Sequence, residues 1–298
     1  MKLLKLSLCI ILIGLTLSIN AQTSNLDLNN PDDYFKAFLK TRADLEGSEV
    51  VYYWSGTVFS FVPGEKDNPL FKFEGFNIAK LVKVDGGYEL LTREAAFFED
   101  LKSGEILEKW INPFTKKEQK IVQIWNDPVN QSFVFPEEYK KYMHKLLPST
   151  DLGKYLSFNL DLFLNYPSPL TKAEYPLNSQ SDTYEAAEMF HFYADKSLLC
   201  NAELNSVPVN ISWTRVSPWM PFMEMGDKTG NLIFSCVGYK LQNGYSELPL
   251  HIKKYVELKN PQFKNAPDSF TEPNETSWTY FKKLMEKQIL TKPKTNKK

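Results

Sequence analysis

Apolar residues recur along this chain at two spacings, and the spacing separates its parts. The cleanest pattern covers residues 156–166. Leu156, Phe158, Leu160, Leu162, Leu164 and Tyr166 fall on one side of an extended chain, and Ser157, Asn159, Asp161 and Asn165 on the other, with Phe163 out of phase. A period of two over that length specifies a strand with one buried face. From Glu49 to about Phe135, similar runs alternate with turn residues and read as a β-meander. Residues 50–62 are β-branched and aromatic and stop at Pro63-Gly64. Asp85-Gly86 is a two-residue hairpin signal between 71–84 and 88–98. Within 71–84 the apolar phase changes at Gly75, as a β-bulge would produce. Residues 106–111 and 119–125 predict another hairpin, and 188–195 with 198–204 a paired set of strands. Residues 207–216 and 231–241 add two more.

Helical spacing is confined to the ends and one central segment. Asn30-Pro31-Asp32-Asp33 is a helix start, with a side-chain cap, a first-turn proline and acids at the positive end, and that helix should finish near Arg42. A short helix is expected within 136–147 and another over 248–258. A last one follows Asn274-Glu275, with Trp278, Phe281, Leu284 and Met285 on one face. About ten strands with short connections predict a mainly β protein: an antiparallel β-barrel-like or strongly curled sheet with flanking N- and C-terminal helices. It forms a single β-rich domain over 22–290, followed by a basic, unstructured tail over 291–298.

The first 21 residues stand apart. Lys2 and Lys5 precede an apolar run over 6–17, and Ala21 supplies a small residue for cleavage, the pattern of a secretory signal peptide. The run is shorter than a bilayer span requires. Export to a periplasmic or extracellular location follows, with no integral membrane segment in the mature chain. Cys200 and Cys236 then remain, and an oxidising compartment allows either a disulfide or two buried thiols. The chain is 43% hydrophobic and 14% aromatic, ample for a core, and its formal charge of -1 gives no electrostatic footprint for nucleic acid.

Candidate chemistry concentrates in few places. Residues 211–227 (ISWTRVSPWMPFMEMGD) combine Trp213 and Trp219 with three methionines, Arg215 and Glu224. Pro218 and Pro221 keep the stretch from being a regular helix or central strand. It reads either as core between the sheet and the last helix or as the wall of an apolar pocket. Three arginines follow the signal, Arg42, Arg93 and Arg215, and the last two lie in hydrophobic text. A guanidinium there needs a carboxylate partner or an anionic ligand. Glu74, Glu94, Asp127, Glu224 and Asp227 adjoin apolar residues, where a carboxylate is tuned for acid–base work or paired with arginine. The expected ligand-binding set is Arg93, Glu94, Asp127, Trp213, Arg215, Trp219, Glu224, Trp278 and Tyr280.

No phosphate loop, nucleophile elbow or Cys-x-x-Cys occurs, so no cofactor is expected. His144, His191 and His251 are scattered, and the His, Asp and Glu spacing predicts no structural zinc. Three readings remain. One is binding of a hydrophobic or aromatic small molecule. Another is an enzyme (lyase, isomerase or hydrolase) using a pocket carboxylate with an arginine orienting an anionic substrate. The third is an envelope interaction protein with the aromatic cluster at an interface.

Six stretches carry a resemblance: Tyr53-Trp54-Ser55-Gly56-Thr57-Val58, Phe71-Lys72-Phe73-Glu74-Gly75-Phe76, Asn126-Asp127-Pro128-Val129, the segment 213–219, Met225-Gly226-Asp227 and the segment 273–281. Together and in this order they resemble domain-of-unknown-function family 1838, bacterial and fungal proteins often carrying export signals. The resemblance covers most of the chain after the signal. It implies no catalytic residues, because no activity is attached to the family.

Overall fold

A computed structural model of the chain describes residues 25–291. The expected signal segment with its cleavage after Ala21, and residues 292–298 of the expected tail, lie outside the described residues, while Thr291 ends the last helix. Helix α1 (Pro31–Arg42) begins as its sequence dictates: the Asn30 side chain accepts from the Asp32 and Asp33 backbone N–H groups. Strands β1 (Val50–Phe61), β2 (Asn68–Val84) and β3 (Gly87–Glu99) follow as a meander. Asp85 and Gly86 form the two-residue loop between β2 and β3, with Gly86 at positive φ. The small hairpin β4 (Lys109–Ile111) and β5 (Glu118–Lys120) leads to β6 (Ile124–Asn126) and β7 (Gln131–Val134). Short helices α2 (Glu137–Lys140) and α3 (Met143–Leu146) precede β8 (Ser149–Asp151), β9 (Tyr155–Pro167) and β10 (Thr183–Asp195). Then come α4 (Lys196–Cys200), β11 (Asn210–Ser217), β12 (Asn231–Leu241), α5 (Leu250–Lys259) and α6 (Ser277–Thr291).

The large sheet is antiparallel, mainly β as the pattern required, in the order β6-β3-β2-β1-β12-β11-β10-β9-β8, with β7 also paired to β3. The hydrogen-bonded path is open: among the described residues no ladder joins β8 to β6. The pairing of β1 with β12 closes the longest connection in the sheet and brings the N-terminal meander against the second half of the chain.

The two faces have different covers. Paired residues of an antiparallel ladder share a face, so Trp54, Gly75 and Ala96 lie on one side, and Ser55, Glu74 and Phe97 on the other. The first side joins the main core, which runs from α1 through Phe73, Phe98, Phe158 and Phe234 to Trp278 of α6. The second side carries Phe76, Ile78 and Phe97 into a smaller core under Ile252 and Val256 of α5, with Trp125 and Phe263. This corrects the expected bulge at Gly75. The β2–β3 register runs unbroken through Gly75, and the irregularity lies between Val58 and Phe59 on β1. The phase change arises because both faces of β2 are buried. Gly75 is small for a packing reason: a Cβ there would stand 2.7 Å from the Trp54 ring and from Ala96 Cβ.

One further expectation changes, and one open alternative is decided. Residues 198–204 are not a strand; β10 pairs instead with β9 and β11, and Asp195 caps α4 through the Ser197 N–H. Cys200 and Cys236 are free thiols. The period-two run of β9 stands as read, including its exception, since Phe163 is 79% exposed while Phe158 is 1% exposed. No helix among the described residues is long and apolar enough to cross a membrane.

Because the Gly75 site has no room, Gly75→Ala should lower stability by about 1–3 kcal/mol through overpacking. Phe163→Ser, at an exposed site, should stay within about 0.5 kcal/mol of wild type. Urea unfolding of the two variants side by side checks both, and a Gly75→Ala midpoint equal to wild type would refute the packing argument.

Candidate functional site

One side of the sheet contains a cavity of about 210 Å³. Its apolar walls follow from strand periodicity. Leu160, Leu162 and Leu164 of β9 share a face and supply an aliphatic wall. Phe190 and Phe192 of β10, with Trp213 of β11 and Trp54 of β1, supply an aromatic one. Phe190 stacks on Trp213 at 5.8 Å between ring centroids, and Trp54 meets Trp213 edge-on at 6.0 Å. Glu275 and Thr276, just ahead of α6, and its first residue Ser277 close one side. This segment is tied down by a reciprocal pair in which Asn130 N donates to Asn274 Oδ1 and Asn274 Nδ2 donates to Asn130 O, both at 2.8 Å.

Two charged corners interrupt this wall. At one, Arg215 is 8% exposed and donates from Nη2 to the Tyr184 hydroxyl at 2.6 Å. Its Nε lies 3.6 Å from Glu188 Oε1, and the other Glu188 oxygen accepts from Trp213 Nε1 at 3.2 Å. Burial opposes the charge on Arg215, but Tyr184, Glu188 and Glu94 outweigh it and hold the guanidinium above its ordinary range. Glu94 of β3 faces the same corner and accepts from Asn126 Nδ2 at 3.1 Å. Burial, and then the Glu188 charge, push its carboxyl up to about 7 against the pull of Arg215 and Asn126. A carboxyl at that value exchanges a proton readily near neutral pH, the property a general acid or base needs.

The second corner was missed in the sequence. Arg42, at the last position of α1, lines the cavity with its guanidinium 4.6 Å from the Phe192 ring centroid. Its Nη2 reaches Gln131 Oε1 at 3.4 Å, and its Nε has no hydrogen-bond partner. Burial pulls its pKa down, opposed only by Tyr52, and no carboxylate pairs with it among the described residues. Lys240 adds positive charge behind it, held by the Lys40 and Ala43 carbonyls and Ser206 Oγ at 2.7, 3.3 and 3.0 Å. Burial, then Arg42, push Lys240 down to about 7. The Trp54 indole N–H and Asn126 Oδ1 also lack partners. Buried polar groups are ordinarily satisfied, so unpaired ones gathered along a single cavity call for an account. A basic residue in the last turn of a helix has a dipole reason to be there, which is why Arg42 drew no attention in the sequence.

The expected residues divide. Glu94, Trp213 and Arg215 line the cavity. Trp278 stands one layer behind, its ring 4.7 Å from Tyr184 and 5.7 Å from the Arg215 guanidinium carbon. The others lie elsewhere. Arg93 is on the opposite face of β3, paired to Asp127 at 2.8 Å and donating to the Gln262, Asn265 and Ala266 carbonyls. Trp219 is core, bonded through Nε1 to Lys228 O, and packs on Phe114. Glu224 accepts from Gln119, and Asp227 is an exposed partner of Lys172. Tyr280 faces the α5 side near Tyr255. The stretch 211–227 is therefore split: its strand half is cavity wall, and Met220, Phe222, Met223 and Met225 are core.

A family model described as "Protein of unknown function (DUF1838)" matches residues 47–285. The chain belongs to this family. No curated protein matches it. Four of the six stretches that carried the resemblance contribute to the cavity: Trp54, Asn126 and Val129, Trp213 and Arg215, and the segment 275–277. The other two stretches of this DUF1838 chain, 71–76 and 225–227, lie outside the cavity lining.

The Glu94 shift has a measurable consequence. With its folded pKa raised, Glu94 leaves the folded state at full stability below the ordinary carboxylate value of about 4.3, and stability falls as pH rises toward about 7. Glu94→Gln should remove that fall. Its unfolding midpoint should approach or drop below wild type near pH 4.5 and exceed it increasingly up to pH 8, followed by denaturant titration at each pH. A midpoint difference that does not change with pH would refute the assignment.

Proposed function

We propose that this protein is an exported binder of a small aromatic or hydrophobic molecule carrying an anionic group, held in a barrel-like trough of the sheet. The observation that carries this reading is Arg42, a half-buried guanidinium without a carboxylate, set in an aromatic and aliphatic cavity. Arg215 already has Glu188, Glu94 and Tyr184 around it. Arg42 has a ring face and an amide oxygen. A carboxylate on the ligand would complete its charge, and a fork of N–H donors suits a planar carboxylate. The apolar remainder would lie between the β9 leucines and the Phe190–Trp213 stack, replacing water against apolar surface. The trough is supported by where the wall comes from: Asn126 and Gln131 stand at one end of the strand order and the β9 leucines near the other, yet all line one cavity.

A second reading shares the cavity. Glu94, pushed up to about 7 and oriented by Asn126, is placed to move a proton on a bound acid, which fits lyase, isomerase or hydrolase chemistry. Export rests on the basic and apolar pattern before Ala21.

Native mass spectrometry of protein isolated from its own host should show a retained organic acid. In titrations followed by tryptophan fluorescence, aryl and alkyl carboxylates should bind at least about tenfold more tightly than their neutral amides, with Arg42→Met erasing the preference. Equal binding of acids and amides would sink the reading. If the protein is an enzyme, Glu94→Gln should keep binding and lose turnover of the retained molecule. The exported chain should begin at Gln22 on N-terminal sequencing; an intact Met1 on extracellular or periplasmic protein would remove the signal assignment.

A further inference from the structure

On the sheet face opposite the cavity, residues far apart in sequence meet in one cluster. Lys72 and Glu74 alternate onto this face of β2, and Glu99 of β3 pairs directly with Lys72. His251, in the first turn of α5, is laid over them. We propose that Glu74, Glu99 and His251 form a binding site for a divalent transition-metal cation, Zn²⁺ or Mn²⁺, whose place is now held by the Lys72 ammonium.

The first support is geometric. One oxygen from each carboxylate and one imidazole nitrogen all lie within 4.8 Å of one another. His251 Nε2 is 3.0 Å from Glu99 Oε1 and 3.4 Å from Glu74 Oε2. Donors each about 2.0–2.2 Å from one ion stand roughly 3.0–3.5 Å from one another, the range of both His251 separations. Two oxygens and one imidazole nitrogen are a donor set of intermediate hardness, suited to zinc or manganese.

The second support is electrostatic. Glu74 and Glu99 are 4% and 0% exposed. Two buried carboxylates face one lysine and one histidine, so unless the histidine is protonated the cluster is one positive charge short. Lys72 touches both carboxylates, lying 3.1 Å from Glu99 Oε2. Yet Glu74 Oε2 and Glu99 Oε2 have no hydrogen bond of acceptable geometry. The Lys72 side chain is 37% exposed on a flexible stem and can swing to water, whereas the carboxylates cannot leave. A divalent ion would neutralise both carboxylates and use the unaligned oxygens. Tyr53 and Ser55 of β1 face the same cluster, and Ser55 Oγ donates to Glu74 Oε1 at 3.4 Å.

Sequence spacing hides the site, because its three ligands come from two strands and a helix some 150 positions apart, as the separation of 152 between His251 and Glu99 shows. The test is isothermal titration of the metal-stripped full chain with Zn²⁺, and with Mn²⁺ followed by electron paramagnetic resonance. One ion per chain should bind. Lys72→Met should tighten binding at least about tenfold by removing the competing ammonium, and His251→Ala should weaken it at least about tenfold by removing a ligand. His251 is partly exposed, so that variant tests the site without disturbing the core. Absence of binding in both wild type and Lys72→Met, an affinity that His251→Ala leaves unchanged, or a Lys72→Met protein that binds no more tightly would each overturn the proposal.

Discussion

Neither face of the β1–β2–β3 ladder is left to water, and the rest of the molecule follows from that constraint. A strand buried on one side needs only an alternating pattern; one buried on both needs a cover for each face. Here α5 and the loop after it cover one side, while the returning strands β9–β12 and the helices α1 and α6 enclose the other. Gly75 shows how tightly the layers meet, because the Trp54 indole rests where a side chain would otherwise be. The same strands therefore present two chemically separate environments a single residue apart. Odd and even positions of β3 place Arg93 and Glu94 on opposite faces, one clamping the α5 loop and the other in the cavity.

Burial of charge is the second organising feature. In the cavity, Arg215 is paired with a carboxylate and bonded to a phenol, though its Nε makes no hydrogen bond, while Glu94 pays for desolvation with a raised pKa. Arg42 is satisfied only in part, by a ring and an amide. Across the sheet the imbalance has the opposite sign, with two buried carboxylates sharing one lysine. A cavity short of an anion on one face and a cluster short of a cation on the other are the grounds of the two ligand sites proposed above. Surface salt bridges, such as Lys109 with Glu118, sit in solvent and require no such account.

Legibility followed the range of the interactions involved. The Asn30 cap, the Asp85-Gly86 turn and the alternation of β9 are decided by neighbours within a few residues, and the chain states them openly. Residues 198–204 misled because Leu198, Leu199 and Leu204 are apolar without marking a strand; the Asp195 cap of α4 was the stronger local signal. Of the cavity residues, Arg215, Trp213 and Glu94 were legible as polar or bulky groups in hydrophobic text. Arg93 and Glu224 carried the same signal for a different reason, since a guanidinium clamping carbonyls and a carboxylate held by Gln119 also need apolar surroundings. Arg42 and His251 gave no sign, because each sits in an end turn of a helix, far in sequence from the residues it meets.

By itself the sequence determined the strand and helix periods, most turns, the aromatic core and the family, because each depends on local pattern or on ordered phrases of residues. Only the tertiary structure decided which face each residue serves and what it meets there. It joined β1 to β12, set Arg42 against Phe192, and laid His251 over Glu99. Those pairings depend on how a long sheet closes its ladders and which helices cover it, and no spacing along the chain encodes that.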